Sequence, residues 1–328
     1  MTAPPGVGRA AAALRTAWRG MGGDLPYGDP LPSHHAPMEG YLWRFTDPVR
    51  RTVLLVACGI NRHRRGPWAT VLLAAEPGGQ LHWSPVDEGW AATDAYRLRA
   101  GRILDYAEGR LRVRVGSGAE LEARLQPTRV WPRRALPGGG LFGLLPGLNH
   151  YWHPHLFGAR VAGRVRLGTV VWDLSRSQVY AEKSWGRGFP SRWWWGQAQD
   201  VAGDEVSLAF AGGHLALGPV GAPVNGLVMW LRGEVVRLVP PLAVVRGGTH
   251  AGQWRVLARN GRYRVEVEGE SSGGTPALPL PVPVPGRRDH LTVEHHLAAR
   301  LRLTVWRDGR RLLRGESTLA SLEVGGTG

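Results

Sequence analysis

Glu182 and Lys183 stand side by side in a stretch crowded with aromatic rings, Tyr180, Trp185 and the run Trp193-Trp194-Trp195. Lys183 is also the single lysine among the 41 basic side chains of this 328-residue chain. A carboxyl beside indoles suits cation chemistry. Burial raises a carboxyl pKa, so the group can stay protonated near neutral pH and give up that proton, and a desolvated indole face stabilises a cation by about 2 kcal/mol. The lysine adds a compact ammonium that can lose its proton when buried, which a guanidinium cannot do. In an extended backbone Glu182 shares a face with Tyr180 and Ser184, whereas Lys183 shares the other with Ala181 and Trp185. Trp193 and Trp195 likewise face together, with Trp194 opposed. The two charged groups therefore cannot line one cavity unless the chain turns. Structural alternatives are a Glu–Lys tie between strands and tryptophans that fill a barrel.

What must position these groups is β structure. Hydrophobic residues at 43% and charged ones at 20% exclude a disordered or coiled-coil chain, and 47 glycines with 25 prolines cut it into short elements. Alternating segments bounded by Gly, Pro or Asp recur at 41–45, 52–57, 70–75, 111–115 and 120–125, and again from 159 to 324. The spacing predicts an all-β chain of antiparallel barrels or sandwiches, and the length favours two packed units. The expected division is a flexible or weakly helical basic arm over 1–30, a first unit over 31–176 and a second over 177–328, with the boundary anywhere between 150 and 220. The glycine-rich connection at 136–152 reads as a plug between units or a lid that touches lipid. The segment 275–286 is expected to be a surface loop, too proline-rich to join a ladder.

A formal net charge of +15 calls for an anionic partner, membrane surface or nucleic acid, or for a role in solubility. Arginines on alternating strand positions, as at 111–115 and 262–265, read as solvated faces, and no zinc-ligand spacing, RNA-binding aromatic motif or helix-turn-helix pattern accompanies them. No nucleic-acid partner is expected; an anionic membrane surface is the partner retained. The lone Cys58 lies in an apolar run, which excludes a disulfide and points to a reducing, cytoplasmic compartment. The apolar stretch 10–14 is too brief for a secretory signal, and no apolar run reaches about 18 residues, so a peripheral place at the membrane is the most the sequence predicts. His150, His153 and His155 lie close together, but no carboxylate or fourth ligand accompanies them and no metal site is expected. His295 and His296 fall on opposite faces of a strand. Asp173 is a turn residue or an alternative acid, and Glu39 is a buried hydrogen-bonded carboxylate or a further acid.

The stretch 180–186 (YAEKSWG), followed by Gly188-Phe189-Pro190 and the aromatic strand 192–197, resembles the tocopherol cyclase family, as do MEGYLWRF at 38–45 and LASLEVGG at 319–326. The likeness spans roughly residues 38–326. It implies two lipocalin-like antiparallel β-barrel units, an apolar cavity, and closure of a prenylated hydroquinone or similar hydrophobic small molecule to a chromanol ring with no cofactor. The residues this reading nominates for chemistry, from their own types and spacing, are Glu182 and Lys183, with Asp173 and, on the early strand that matches the family, Glu39 as alternative acids. Those nominated for ligand contact are Tyr180, Trp185, Trp193, Trp195 and Trp43. A carrier or sensor of hydrophobic ligands, without turnover, is the competing expectation.

Overall fold

The computed structural model describes residues 5–25, 28–132, 135–204, 206–271 and 276–326. Arg110–Val115 and Gln253–Arg259 bury every second residue and send their arginines to water, the period-2 pattern of a half-exposed strand. Thr52–His63 and Gly66–Glu76 are instead apolar on both faces, because one face fills a barrel and the other meets a second sheet.

Two antiparallel sheets result. The first has twelve strands and runs Gln80–Val86, Gly66–Glu76, Thr52–His63, Met38–Asp47, Gln178–Gly186, His150–Leu167, Ala119–Val130, Arg110–Val115, Leu104–Ala107, Leu98–Ala100 and Gly89–Ala91, with Val170–Asp173 folded back on His150–Leu167. It curls into a nearly closed barrel around Trp43, Phe45, Val56, Ile60 and Leu121. The ten-stranded second sheet runs Glu234–Leu238, Val220–Leu231, Val206–Leu217, Arg192–Ala198, Arg310–Gly326, Asp289–Arg307, Tyr263–Glu270, Gln253–Arg259 and Val244–His250, with Leu278–Val284 paired to Asp289–Arg307. Its interior holds Leu208, Phe210, Met229 and Leu303. A separate apolar layer, including Leu55, Leu72, Trp193, Leu280 and Val282, joins the outer faces of the two sheets. One fully buried arginine also bridges them. Arg44, on the first sheet, donates to Ser321 Oγ at 2.7 Å, Gln197 Oε1 at 2.8 Å and the Leu319 carbonyl, all on the second. Burial pulls its pKa down to about 10.

Two expectations become specific and one changes. The chain crosses between sheets at 187–191, inside the expected 150–220, and the strand Gln178–Gly186 belongs to the first sheet, between Met38–Asp47 and His150–Leu167. Of the two forms expected for the basic arm, flexible or weakly helical, the structure has a helix over Pro5–Gly20, and Gly22, Pro30 and Pro32 after it are tied by hydrogen bonds to Trp185 and Lys183. The proline-rich segment does join a ladder. Leu278–Val284 is an edge strand with prolines at every second position, where the missing N–H faces the free edge and removes no ladder bond. Among the described residues, no helix is long and apolar enough to cross a membrane.

Candidate active site between the two sheets

An apolar cavity of about 200 Å³ lies between the sheets. Leu42, Leu55 and Ala57 on the outer face of the first sheet form one wall, and Trp193, Trp195 and Ala211 of the second form the other. Leu280 and Val282 of the proline-rich edge strand close one side, and Phe142 of the glycine-rich connection closes another. Glycine is needed where indoles lie against the backbone. A Cβ on Gly325 would overlap the Trp193 ring, and one on Gly212 would overlap Trp194.

Glu182 reaches this cavity from the middle of the first sheet, opposite Leu42 on one neighbouring strand and Pro154 on the other. The ladder shifts register between Pro154 and Leu156, an irregularity of the kind that re-aims side chains at functional sites. Three donors converge on one carboxyl oxygen: Tyr180 OH at 2.6 Å, Trp152 Nε1 at 2.8 Å and Trp195 Nε1 at 3.1 Å all reach Oε2. That leaves Oε1 to carry a proton. Burial dominates over these donors and raises the Glu182 pKa to about 7, with the negative Glu323 adding in the same direction. The carboxyl is therefore close to half-protonated at neutral pH. Tyr180 is itself fully buried, and burial with the nearby Glu182 pushes its phenol well above the ordinary value, so it stays a donor.

Lys183 points the other way. Its fully enclosed ammonium donates to the carbonyls of Pro32 at 2.7 Å and Pro30 at 3.0 Å and to His34 Nδ1 at 2.9 Å, and it lies 3.4 Å from Glu39 Oε1. Glu39 in turn accepts from Ser33 Oγ, the His34 amide and Arg62. Burial pushes the Glu39 carboxyl up, but Lys183, Arg62 and these hydrogen bonds together hold it below the ordinary value. Burial and then Lys183 hold His34 well below the ordinary imidazole value, so the neutral ring accepts from Lys183 and donates through Nε2 to Asp24 at 3.0 Å. Lys183 and Glu39 thus form one buried cluster that pins the segment following the N-terminal helix, on the far side of the strand from Glu182.

The remaining nominated residues divide. Trp193 and Trp195 share a face, line the cavity and donate their N–H groups to Glu323 and Glu182 respectively. Trp185 bounds one end of the cavity, stacked between His34 at 4.2 Å and Tyr151 at 5.3 Å, with its N–H on the Gly22 carbonyl. Tyr180 enters the site only through its hydroxyl on Glu182. Trp43 lies outside it, in the first barrel beside Tyr96 and Tyr106, because its alternation places it on the inner face. Asp173 is exposed at the end of the strand Val170–Asp173, where it accepts from the Ser175 amide and hydroxyl, and it does not line the cavity. His150 lines the cavity, whereas His153 accepts from the Gly138 amide and His155 packs on Tyr96. Trp152, Glu323 and His295 were not singled out for chemistry by the sequence. An acid at 323 amid the inward-facing residues of 319–324 was the available signal.

Fold and site together define a lipocalin-like double-sheet protein with a proton-bearing carboxyl in an apolar cavity. The family described as tocopherol cyclase-like matches residues 35–326, and the chain belongs to that family. It is 29% identical over 196 residues to the probable chloroplastic tocopherol cyclase of Oryza sativa subsp. japonica, covering 54% of this chain and 40% of that protein. It is also 29% identical over 231 residues to the chloroplastic tocopherol cyclase of Zea mays, covering 63% and 46%. The match spans less than half the length of either relative. In fold the chain is similar to the crystal structure of CghA with Sch210972, at 11% identity and TM-score 0.62 over 89% of each chain. A putative AttH from Nitrosomonas europaea, at 11% identity and TM-score 0.50, covers 90% of this chain and 94% of its own.

Proposed function

We propose that the protein closes a prenylated hydroquinone, or a similar prenyl phenol, to a chromanol-type ring by acid catalysis from Glu182. The observation that carries this reading is a buried carboxyl with a pKa of about 7 on the wall of an indole-lined cavity. Glu182 gives its proton to the trisubstituted alkene, the tertiary cation is stabilised by the faces of neighbouring indoles, and the phenol oxygen closes on it. A carrier needs only apolar burial, and ionisable carboxyls are costly to bury without a task for them. Purified protein is expected to convert a prenylquinol into a cyclic isomer of unchanged mass, followed by chromatography and mass spectrometry. Binding without any isomer formed would leave the carrier in its place.

The cavity volume also bears on how such a lipid is held. A void of 150 Å³ takes a benzene ring, so about 200 Å³ accommodates a head group and the first few carbons of a tail. The rest of a long tail must leave through the mouth. Beside Phe142 the exposed apolar residues Leu141 and Leu145 are accompanied by Trp18, Met21 and Leu217, with exposed Leu14 one helical turn before Trp18 and exposed Val220 paired with Leu217. They are joined by Trp18 Nε1 on the Leu144 carbonyl, the Gly147 amide on the Met21 carbonyl, and a bridge between Leu148 and Leu217. The helix Pro5–Gly20 carries arginines and no acid. This surface fits an anionic bilayer from which the substrate is drawn. Changing Leu14 and Val220 together to Glu is expected to weaken binding to phosphatidylglycerol-rich vesicles by at least about tenfold, since each buried apolar side chain contributes about 1.5–3 kcal/mol. Unchanged co-sedimentation of that variant would refute the docking face.

A further inference from the structure

We infer that Glu323 is the proton acceptor of this site and that His295 is the residue that holds it in position. The inference rests on the cyclase reading above but concerns groups that reading does not use. Trp195, Glu323 and His295 lie directly opposite one another on the neighbouring strands Arg192–Ala198, Arg310–Gly326 and Asp289–Arg307. Glu323 lines the cavity. Its Oε1 accepts from Trp193 Nε1 at 2.7 Å, and its Oε2 lies 2.8 Å from His295 Nδ1.

The His295 side chain is fully enclosed, and its Nε2 is buried without a partner among the described residues. Nδ1 is thus the ring nitrogen that faces a partner, and an N–H there is directed at Glu323. Glu323 therefore has a ring nitrogen facing each of its oxygens, which orients both as acceptors. Glu182 has the opposite arrangement, with every donor on one oxygen. The two carboxyls meet the same indole strand: Trp195 serves Glu182 and Trp193 serves Glu323, and alternate residues of a strand stand about 6.5–7 Å apart. Paired carboxyls in unlike surroundings divide into acid and base.

The step balances without a further reagent. The Glu182 O–H bond breaks as the alkene π pair forms a C–H bond, leaving a tertiary cation. A phenol oxygen lone pair forms the C–O bond, the phenol O–H bond breaks, and Glu323 takes that proton. Each turnover leaves Glu182 ionised and Glu323 protonated, and exchange with water resets both when the product leaves. Substrate and product are isomers, and no electrons are gained or lost.

The test uses a prenylated phenol and its methyl ether, both titrated by tryptophan fluorescence, beside cyclisation run in deuterated water. The parent is expected to bind the phenol about tenfold more tightly than the ether, the scale of one hydrogen bond to a charged group. Glu323→Gln should erase that preference while leaving ether binding intact, and should slow ring closure about a hundredfold. It should still wash deuterium into the alkene, which Glu182→Gln should not. His295→Asn, whose amide can donate in place of Nδ1, should keep the preference, and His295→Phe should lose it at unchanged ether affinity. Glu323→Gln that keeps both the preference and the parental rate overturns this inference alone. A parent that prefers the phenol through Glu323 yet never cyclises it overturns the cyclase reading alone.

Discussion

Replacing Glu182 by Gln is expected to lower cyclisation by at least about a hundredfold, the range typical of a lost general acid, while making the protein more stable above neutral pH. Both effects come from one cause. Burial lifts the carboxyl from an ordinary 4.5 to about 7, so the folded protein holds a proton that the unfolded chain has released. A raised folded-state pKa contributes stability that is complete below 4.5 and is lost as pH rises through about 7. At pH 8 that loss is about 3 kcal/mol. The amide oxygen of Gln accepts hydrogen bonds but never ionises, so the variant's advantage should open between pH 4.5 and 7 and vanish in acid. The parental rate should instead fall as pH rises through about 7, where the folded protein loses its acid form. Initial rates and urea unfolding at pH 4, 6 and 8 measure all three; parental turnover by Glu182→Gln would move the acid elsewhere in the cavity.

The second large effect is expected at Lys183, and it is one of folding rather than chemistry. Lys183→Met removes the partner of Glu39 and three donors from a site with no access to water, and breaking such a pair by deleting one member typically costs about 3–5 kcal/mol. The segment between the helix and the first strand should then become accessible to protease. Lys183→Arg should also destabilise the protein, because a planar fork cannot replace a compact ammonium that meets Pro30, Pro32 and His34 at once. This accounts for one lysine surviving in a chain that otherwise uses arginine. Thermal unfolding and limited proteolysis read out both variants. A Met variant of parental stability that has lost turnover would return Lys183 to the reaction.

Alternation carried the sequence reading where a strand has one wet face. It placed the arginines of 111–115 outward, and it separated Glu182 from Lys183 and Trp193 and Trp195 from Trp194. It fails where both faces are dry. Trp43 alternates correctly, but nothing in Met38–Asp47 distinguishes the face that fills the barrel from the face that meets the second sheet, since both are apolar. The ladder of Leu278–Val284 was hidden because proline forbids central strands and permits edges, and edge position is a property of the whole sheet. Glu323 was hidden for a related reason. Its partners Trp193 and His295 lie 130 and 28 residues away, and only the register of three strands brings them together.

The placement of the cavity at a seam has a consequence for how such a chain can change over generations. Each sheet keeps an interior of its own, around Trp43 and Val56 in one and Phe210 and Met229 in the other, and the cavity meets these only at its edges, at Tyr41 and Cys58 of the first and Trp194 beside the second. Substitutions at Leu42, Ala57 or Ala211 reshape the chamber from the outer faces and lie outside both of those interiors. Where a ligand pocket lies within a single core, each new substrate shape must be traded against stability. Here the two are largely uncoupled. Variation in the accepted ring or tail can accumulate along the seam while the carboxyls and the indoles that orient them stay in register.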